Sequence, residues 1–296
     1  MDLMMPSTKS ETKPKLSWSF EALGTRWEIV SDKVIQPSLQ ERIEDYIEQF
    51  DATYSRFRTD SLVYQMSQYN GEYVLPEGSD EMFDFYDSLY ELSNKKVTPL
   101  VGDTLSSAGY DKDYSLRPDD EIVKVPDYKN IHRVGLDITL SMPTMIDIGA
   151  VGKGYLVDKI VELMRKNGHD SFVVDASGDI YCAGDRAEVV GLENPHDTKE
   201  IIGSVELTDK ALCASAVNRR AWGDWHHVID PSTSRPTNEV VATWVIADST
   251  MIADGLATAL FFTAPKKLAA TYNYEYLRMH ANGSVEYSEY FAKGVF

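Results

Sequence analysis

A single α/β domain is what the sequence predicts, and three observations predict it. Apolar residues recur at helical spacing in Pro37–Tyr54, Ser79–Lys95, Tyr155–Asn167 and Thr250–Thr263. Short alternating or β-branched runs lie between and around these segments. No repeat and no linker-like stretch interrupts residues 16–296, and a chain of this length can bury a large core. The domain is therefore expected to span residues 16–296 behind a tail at 1–15, where Ser, Thr, Lys and Pro abound without periodicity.

Each element has its own warrant. Ser17–Val30 alternates as a strand pair or one long strand, interrupted at Gly24-Thr25. In the first helix Leu39, Ile43, Ile47, Phe50 and Tyr54 share a face. The second carries its acids early and its lysines late, as the helix dipole favours. Residues 102–133, with scattered Pro, Gly and Asp, read as loop with short elements. The clearest unit follows: a strand over Met145–Ile148, a turn over Gly149–Gly154 and a helix over Tyr155–Asn167, with Gly168 as its C-cap. Further strands are expected at Ser171–Asp175, Val189–Leu192, Ile201–Leu207, Lys210–Ala216 and Val240–Ala247.

Charge and composition remove several functions. The net charge is −18, from 47 acidic and 29 basic side chains. Such a surface repels nucleic acid, which demands a basic footprint, so no nucleic-acid partner is expected. No run of eighteen apolar residues is present, so no membrane span is expected. Neither Cys182 nor Cys213 fits a metal-binding spacing, and both read as small core residues. Few cysteines and no visible signal peptide lead to an expected cytoplasmic location.

Five segments carry candidate chemistry. Asp147-Ile148-Gly149-Ala150-Val151-Gly152-Lys153-Gly154 can form an anion cradle of backbone amides beside the Lys153 charge. Its spacing fits neither the P-loop nor the dinucleotide fingerprint, and a turn chosen for tight packing explains the glycines equally well. Asp254 and Thr258, at i and i+4, place two hard oxygens on one helix face, suited to Mg²⁺ or to plain helix capping. His226 and His227 stand beside Asp230-Pro231, where imidazole can carry a proton or be merely a loop residue. Tyr54-Ser55-Arg56-Phe57 can hold a flat ring or end a helix. Ser177-Gly178-Asp179 is a polar turn behind a buried strand, a place where α/β folds often line clefts.

Taken in order from Leu23-Gly24-Thr25 to Leu260, these segments resemble the ApbE family of FAD:protein FMN transferases. The resemblance implies a T-fold-like α/β architecture, with central antiparallel or mixed sheets flanked by helices. It also implies Mg²⁺ as cofactor, FAD as substrate, and transfer of FMN to a Thr or Ser hydroxyl of an acceptor flavoprotein with release of AMP. Some relatives instead hydrolyse FAD or only hold it. Carried onto this sequence, it makes Asp254, Thr258 and the Gly152 carbonyl the metal ligands. It makes Leu23, Tyr54, Ser55, Phe57, Lys153, Asp158 and Ser215 the FAD-binding residues. His227 becomes the proton acceptor, with Asp230 or His226 in support. The chain departs from the family pattern at Ala214-Ser215-Ala216, where Thr-Ser-Gly is usual, at Ser234, where glycine is usual, and over Thr98–Ala108.

Overall fold

The structure, a computed structural model, describes residues 16–185 and 187–294. The tail expected over residues 1–15 lies outside the described residues. An eight-stranded sheet organises the rest. Its strands are β1 (Leu16–Ala22), β2 (Thr25–Ser31), β3 (Phe172–Asp175), β4 (Asp179–Ala183), β5 (Lys210–Ala216), β6 (Val240–Ala247), β7 (Glu275–His280) and β8 (Val285–Tyr287). They lie side by side in chain order, and every pairing is antiparallel. The sheet is therefore a meander whose long connections carry the other elements.

Seven helices lie among the described residues: α1 (Pro37–Tyr54), α2 (Leu62–Gln68), α3 (Ser79–Leu92), α4 (Gly102–Ser107), α5 (Gly152–Lys166), α6 (Thr250–Ala259) and α7 (Pro265–Leu268). The face of α5 formed by Leu156, Val157, Ile160, Val161 and Met164 is buried. At about 1.5–3 kcal/mol per buried side chain, that face alone supplies on the order of 10 kcal/mol of hydrophobic free energy. No helix among the described residues is long and apolar enough to cross a membrane.

The central strands are buried on both faces, which explains the unbroken apolar run of β6. Val245 and Ala247 face the helical layer, while Trp244 and Ile246 join a second core closed by the long hairpin Glu188–Asn194/Asp197–Leu207. β5 alternates likewise, with Ala211 and Cys213 toward the helices and Leu212 away. A separate three-stranded sheet orders Gly71–Val74, Asp137–Leu140 and Ile131–Val134.

Two expectations need correction. Residues 145–148 form no strand, and α5 begins at Gly152 rather than Tyr155. The segment runs through the core instead, with Ile146 fully buried and Asp147 N–H bonded to the Pro99 carbonyl (2.8 Å). The interruption after Ala22 is a two-residue hairpin turn, with Leu23 (φ 50°) and Gly24 (φ 70°) both left-handed. Its hand suits the twist of the flanking strands.

Candidate functional site

The strand registers bring the glycine turn and α6 to one end of the sheet. Glu28 pairs with Asp175, and Cys213 with Asp179. The Leu23-Gly24 turn, the Ala176–Gly178 turn and the last residues of β5 therefore project from the same end. The α5 N-terminus joins them, because Lys153 Nζ donates to the Ala176 carbonyl (3.0 Å) and pairs with Asp179 (3.0 Å). α6 starts at the opposite end and runs back, carrying Asp254 and then Thr258 toward this junction.

Helices α5 and α6 are clasped together reciprocally. Asp254 accepts the Gly154 N–H (3.0 Å) at the start of α5. Asp158, nearly two turns into α5, accepts from Ser249 Oγ (2.6 Å), Thr250 N–H (2.8 Å) and Met251 N–H (2.9 Å) at the start of α6. Gly154 makes the close approach possible, since a Cβ there would lie 2.4 Å from the Thr250 carbonyl oxygen. Gly152 is equally constrained, by the Ile148 side chain at 2.4 Å. Both glycines serve tight packing.

The amide cradle is accordingly altered. Gly149 N–H is bonded to Asp147 Oδ1 (2.7 Å), Ala150 N–H to Tyr86 Oη (3.3 Å), and Val151 and Gly152 N–H to the Ile148 carbonyl (3.1 and 2.8 Å). The turn spends these donors on its own shape. Asp158 likewise stands at the start of α6, away from the junction, with its carboxylate occupied by a helix cap.

Electrostatics concentrate at the junction. Burial, then the charge of Asp179, pushes the Asp254 carboxyl well up, against the pull of Lys153. Burial alone would lower the Lys153 ammonium, but Asp179 and Asp254 outweigh it and hold it above the ordinary lysine value. Two carboxylates thus face one ammonium. Ionised carboxylate is disfavoured there unless a cation arrives, and a divalent ion would supply it. Asp254 and Thr258 offer hard oxygens at one-turn spacing, and Gly152 opens the helix that Asp254 touches through Gly154. That donor set fits Mg²⁺. No group of three or more His, Cys, Asp or Glu suited to a metal occurs among the described residues, so hydroxyl and carbonyl oxygens would have to complete the shell.

The histidine segment lies beside this junction. It is built from two-residue strands, Ala221–Trp222 with Trp225–His226 and Ile229–Asp230 with Arg235–Pro236. His227 N–H is bonded to the Arg220 carbonyl (3.3 Å), while its Nδ1 is buried without a hydrogen-bonding partner among the described residues. The ring is half-buried overall, with this nitrogen shut off from solvent. Burial, with the charges of Arg220, His226 and Lys153, lowers its pKa to about 3.

Its expected helpers are engaged elsewhere. His226 Nε2 lies 2.7 Å from the Thr237 carbonyl, and its Nδ1 accepts the Val228 N–H (3.2 Å), so Nε2 carries the proton. Asp230 accepts from Lys96 Nζ (2.5 and 2.7 Å) and from Ser232 N–H (2.8 Å). Burial alone would raise its pKa, but Lys96 and Ser232 hold it below the ordinary value. No bond from either side chain reaches His227.

The flavin-pocket candidates divide. Tyr54 points into the helical core, where its hydroxyl meets Ser79 and burial raises its pKa to about 12. Ser55 caps α1 through its backbone. Phe57 stacks on Tyr114 (5.2 Å between centroids) in an aromatic cluster with Tyr110, Trp222 and Trp225, next to the histidine segment. Leu23 packs partly buried against the helical core, and Ser215 pairs with Thr243 on the sheet face that α6 covers.

Sequence reasoning missed four groups here. Arg56, read only as part of a possible ring holder, pairs with Asp147 (2.6 Å) between the rings of Phe57 and Tyr110. Lys96 and Arg220 carried no motif, and Asp179 was seen only as a turn residue. No local pattern marks them, because their partners are distant in sequence.

The ApbE family model matches residues 23–281, most of the chain. The chain belongs to the ApbE family. This ApbE chain is 29% identical over 210 residues to the FAD:protein FMN transferase of Treponema pallidum, a match covering 61% of this chain and 58% of that protein. It is 25% identical over 246 residues to the FAD:protein FMN transferase of Vibrio cholerae, covering 75% and 72%. The crystal structure of the ApbE protein of Thermotoga maritima superposes with a TM-score of 0.83 at 24% identity, covering 95% of this chain and 99% of that one. The architecture of this family member is thus the ApbE fold.

Proposed function

We propose that this ApbE-family chain transfers FMN from FAD to a Ser or Thr hydroxyl of an acceptor flavoprotein and releases AMP. The convergence of Asp254, Lys153 and Asp179 at the α5 N-terminus, with His227 beside them, carries the reading. The names of the relatives in Treponema and Vibrio support the substrate.

The acceptor oxygen attacks the FMN phosphorus, a P–O ester bond forms, and the P–O bond to AMP breaks. Such a displacement needs positioning and charge neutralisation above all. Mg²⁺ held by Asp254, Thr258 and the Gly152 carbonyl would neutralise charge on the phosphate oxygens. Asp179 fixes Lys153, and Phe57 offers a ring face in the aromatic cluster. His227 takes the hydroxyl proton. It is neutral near pH 7 and so free to accept one, and phosphate charge brought close would raise its basicity.

A cytoplasmic setting and a single domain over residues 16–296 belong to the same proposal. The first is supported by Cys182 and Cys213, both buried and neither in a disulfide. The second is supported by a sheet whose strands come from both ends of that span.

The deciding experiment incubates the protein with FAD, Mg²⁺ and an acceptor domain. A mass gain of one FMN on the acceptor is expected, together with AMP. AMP release with an unmodified acceptor would convert the reading to a hydrolase, and neither product would leave a flavin binder.

A further inference from the structure

Four cations around the junction are paired. Arg56 is committed to Asp147 (2.6 Å), Lys153 to Asp179 (3.0 Å), Lys96 to Asp230 (2.5 Å) and Arg219 to Glu193 (2.9 Å). Arg220 makes no ion pair among the described residues. Its side chain is exposed, and its guanidinium lies 5.8 Å from the centre of the Tyr110 ring. It ends the 3₁₀ turn Val217–Arg220 that follows β5 directly, and its carbonyl holds the His227 N–H. The guanidinium is close enough to Lys153, Asp254 and His227 to act on the charge of each.

An anionic ligand has a difficulty here that Arg220 resolves. The whole chain carries −18, and the lysine at the junction, Lys153, is already engaged by Asp179 (3.0 Å). A lysine locked to a buried carboxylate has little positive charge left to offer. We propose that Arg220 is the phosphate-gripping residue of the site, closing its guanidinium on the diphosphate of the substrate and selecting phosphorylated flavins over riboflavin. The planar fork of arginine matches two phosphate oxygens at once, and the Tyr110 ring face pre-orients it. Arg219 and Arg220 are neighbours with opposite duties, one anchoring the turn to the long hairpin through Glu193 and the other left for the ligand.

The inference rests on the flavin-transfer reading, and the test separates the two. Arg220→Gln and Arg220→Lys are titrated with FAD and with riboflavin by fluorescence, and with inorganic pyrophosphate by thermal shift. Loss of a charge-assisted contact predicts FAD binding ~10- to 100-fold weaker in R220Q, partial recovery in R220K, and riboflavin binding unchanged. The apparent KM for FAD should rise more than kcat falls. Equal losses for FAD and riboflavin, or no loss for either, would overturn the proposal. If the unaltered protein binds neither flavin, the flavin-transfer reading fails. Pyrophosphate stabilisation that disappears in R220Q would then still uphold Arg220 as an anion site, and stabilisation absent or unchanged would end it.

Discussion

The α5–α6 clasp and the segment Val217–Pro236 lie at neighbouring positions but are built on opposite principles. In the clasp the charged groups have partners: Asp158 caps α6, Asp254 holds Gly154, and Lys153 is paired with Asp179. In the segment, two-residue strands frame His227 and follow Arg220; among the described residues the buried Nδ1 of the one has no hydrogen-bonding partner and the guanidinium of the other has no ion pair. Buried polar groups are ordinarily satisfied, so an exception needs a cause. The difference teaches a division of labour. The clasp is a frame that fixes the Asp254 carboxylate in place, and the segment leaves a ring nitrogen and a guanidinium unengaged among the described residues.

The largest effect should come from emptying the frame of charge. Asp254→Asn keeps an oxygen for the Gly154 N–H but removes the anionic ligand. Transfer at limiting Mg²⁺ should fall at least ~100-fold, because a metal ion is worth several kcal/mol to such a transition state. The melting temperature should stay within a few degrees. Undiminished turnover at limiting Mg²⁺ would detach the metal from Asp254.

Breaking the frame itself comes next. Gly154→Ala drives a methyl group to 2.4 Å from the Thr250 carbonyl oxygen and 2.8 Å from Asp254 Cβ, both set by packed helices. A cost of about 2–3 kcal/mol is expected from the urea midpoint at constant slope, with activity lost in step. A stable and active variant would show that the two helices can slide apart, against the reading of a rigid clasp.

The same comparison explains what the sequence disclosed. α1 has the boundaries its periodicity predicts, and so do β5 and β6, because burial of a periodic face decides them. That Asp254 and Thr258 share a helix was legible from their i, i+4 spacing, while their service as metal ligands belongs to the proposal. The duty of Asp158 was not, since a carboxylate in a helix reads alike whether it meets a ligand or the start of another helix in space. Arg220 left no trace at all: its meaning depends on Lys153 being neutralised by Asp179, a tertiary fact. The short strands at Gly71–Val74 and Ile131–Val134 also escaped, being too short for a period to show.

The open segment should announce itself through acid. With a folded pKa of about 3 against 6.5 in the unfolded chain, His227 takes up a proton on unfolding at any pH between those values. The unfolded state binds more protons there, so stability attributable to His227 is intact above pH 6.5 and is lost as pH falls toward 3. At pH 5 the deficit is roughly 2 kcal/mol. His227→Gln should therefore lose less stability than the parent between pH 7 and pH 5, by about that amount, in paired urea titrations. Identical acid sensitivity in the two proteins would mean that the imidazole is not shielded as its surroundings indicate.

The smallest effect belongs to the turn beyond the histidines. Ser234 occupies a left-handed position (φ 55°), which accounts for the glycine expected there from the family pattern. Replacing it with glycine relieves a strain of about 1–2 kcal/mol. It also frees the unfolded chain, by about 0.5–1 kcal/mol, and removes the hydroxyl that accepts the Val125 N–H (3.1 Å), worth about 1 kcal/mol. These terms nearly cancel, so Ser234→Gly should leave the urea midpoint almost unmoved. The loop over residues 110–127 would nonetheless lose its tie to the segment, and faster amide exchange at Val125 should reveal it. A large stabilisation would mean that the serine hydroxyl contributes nothing and that the strain stands uncompensated.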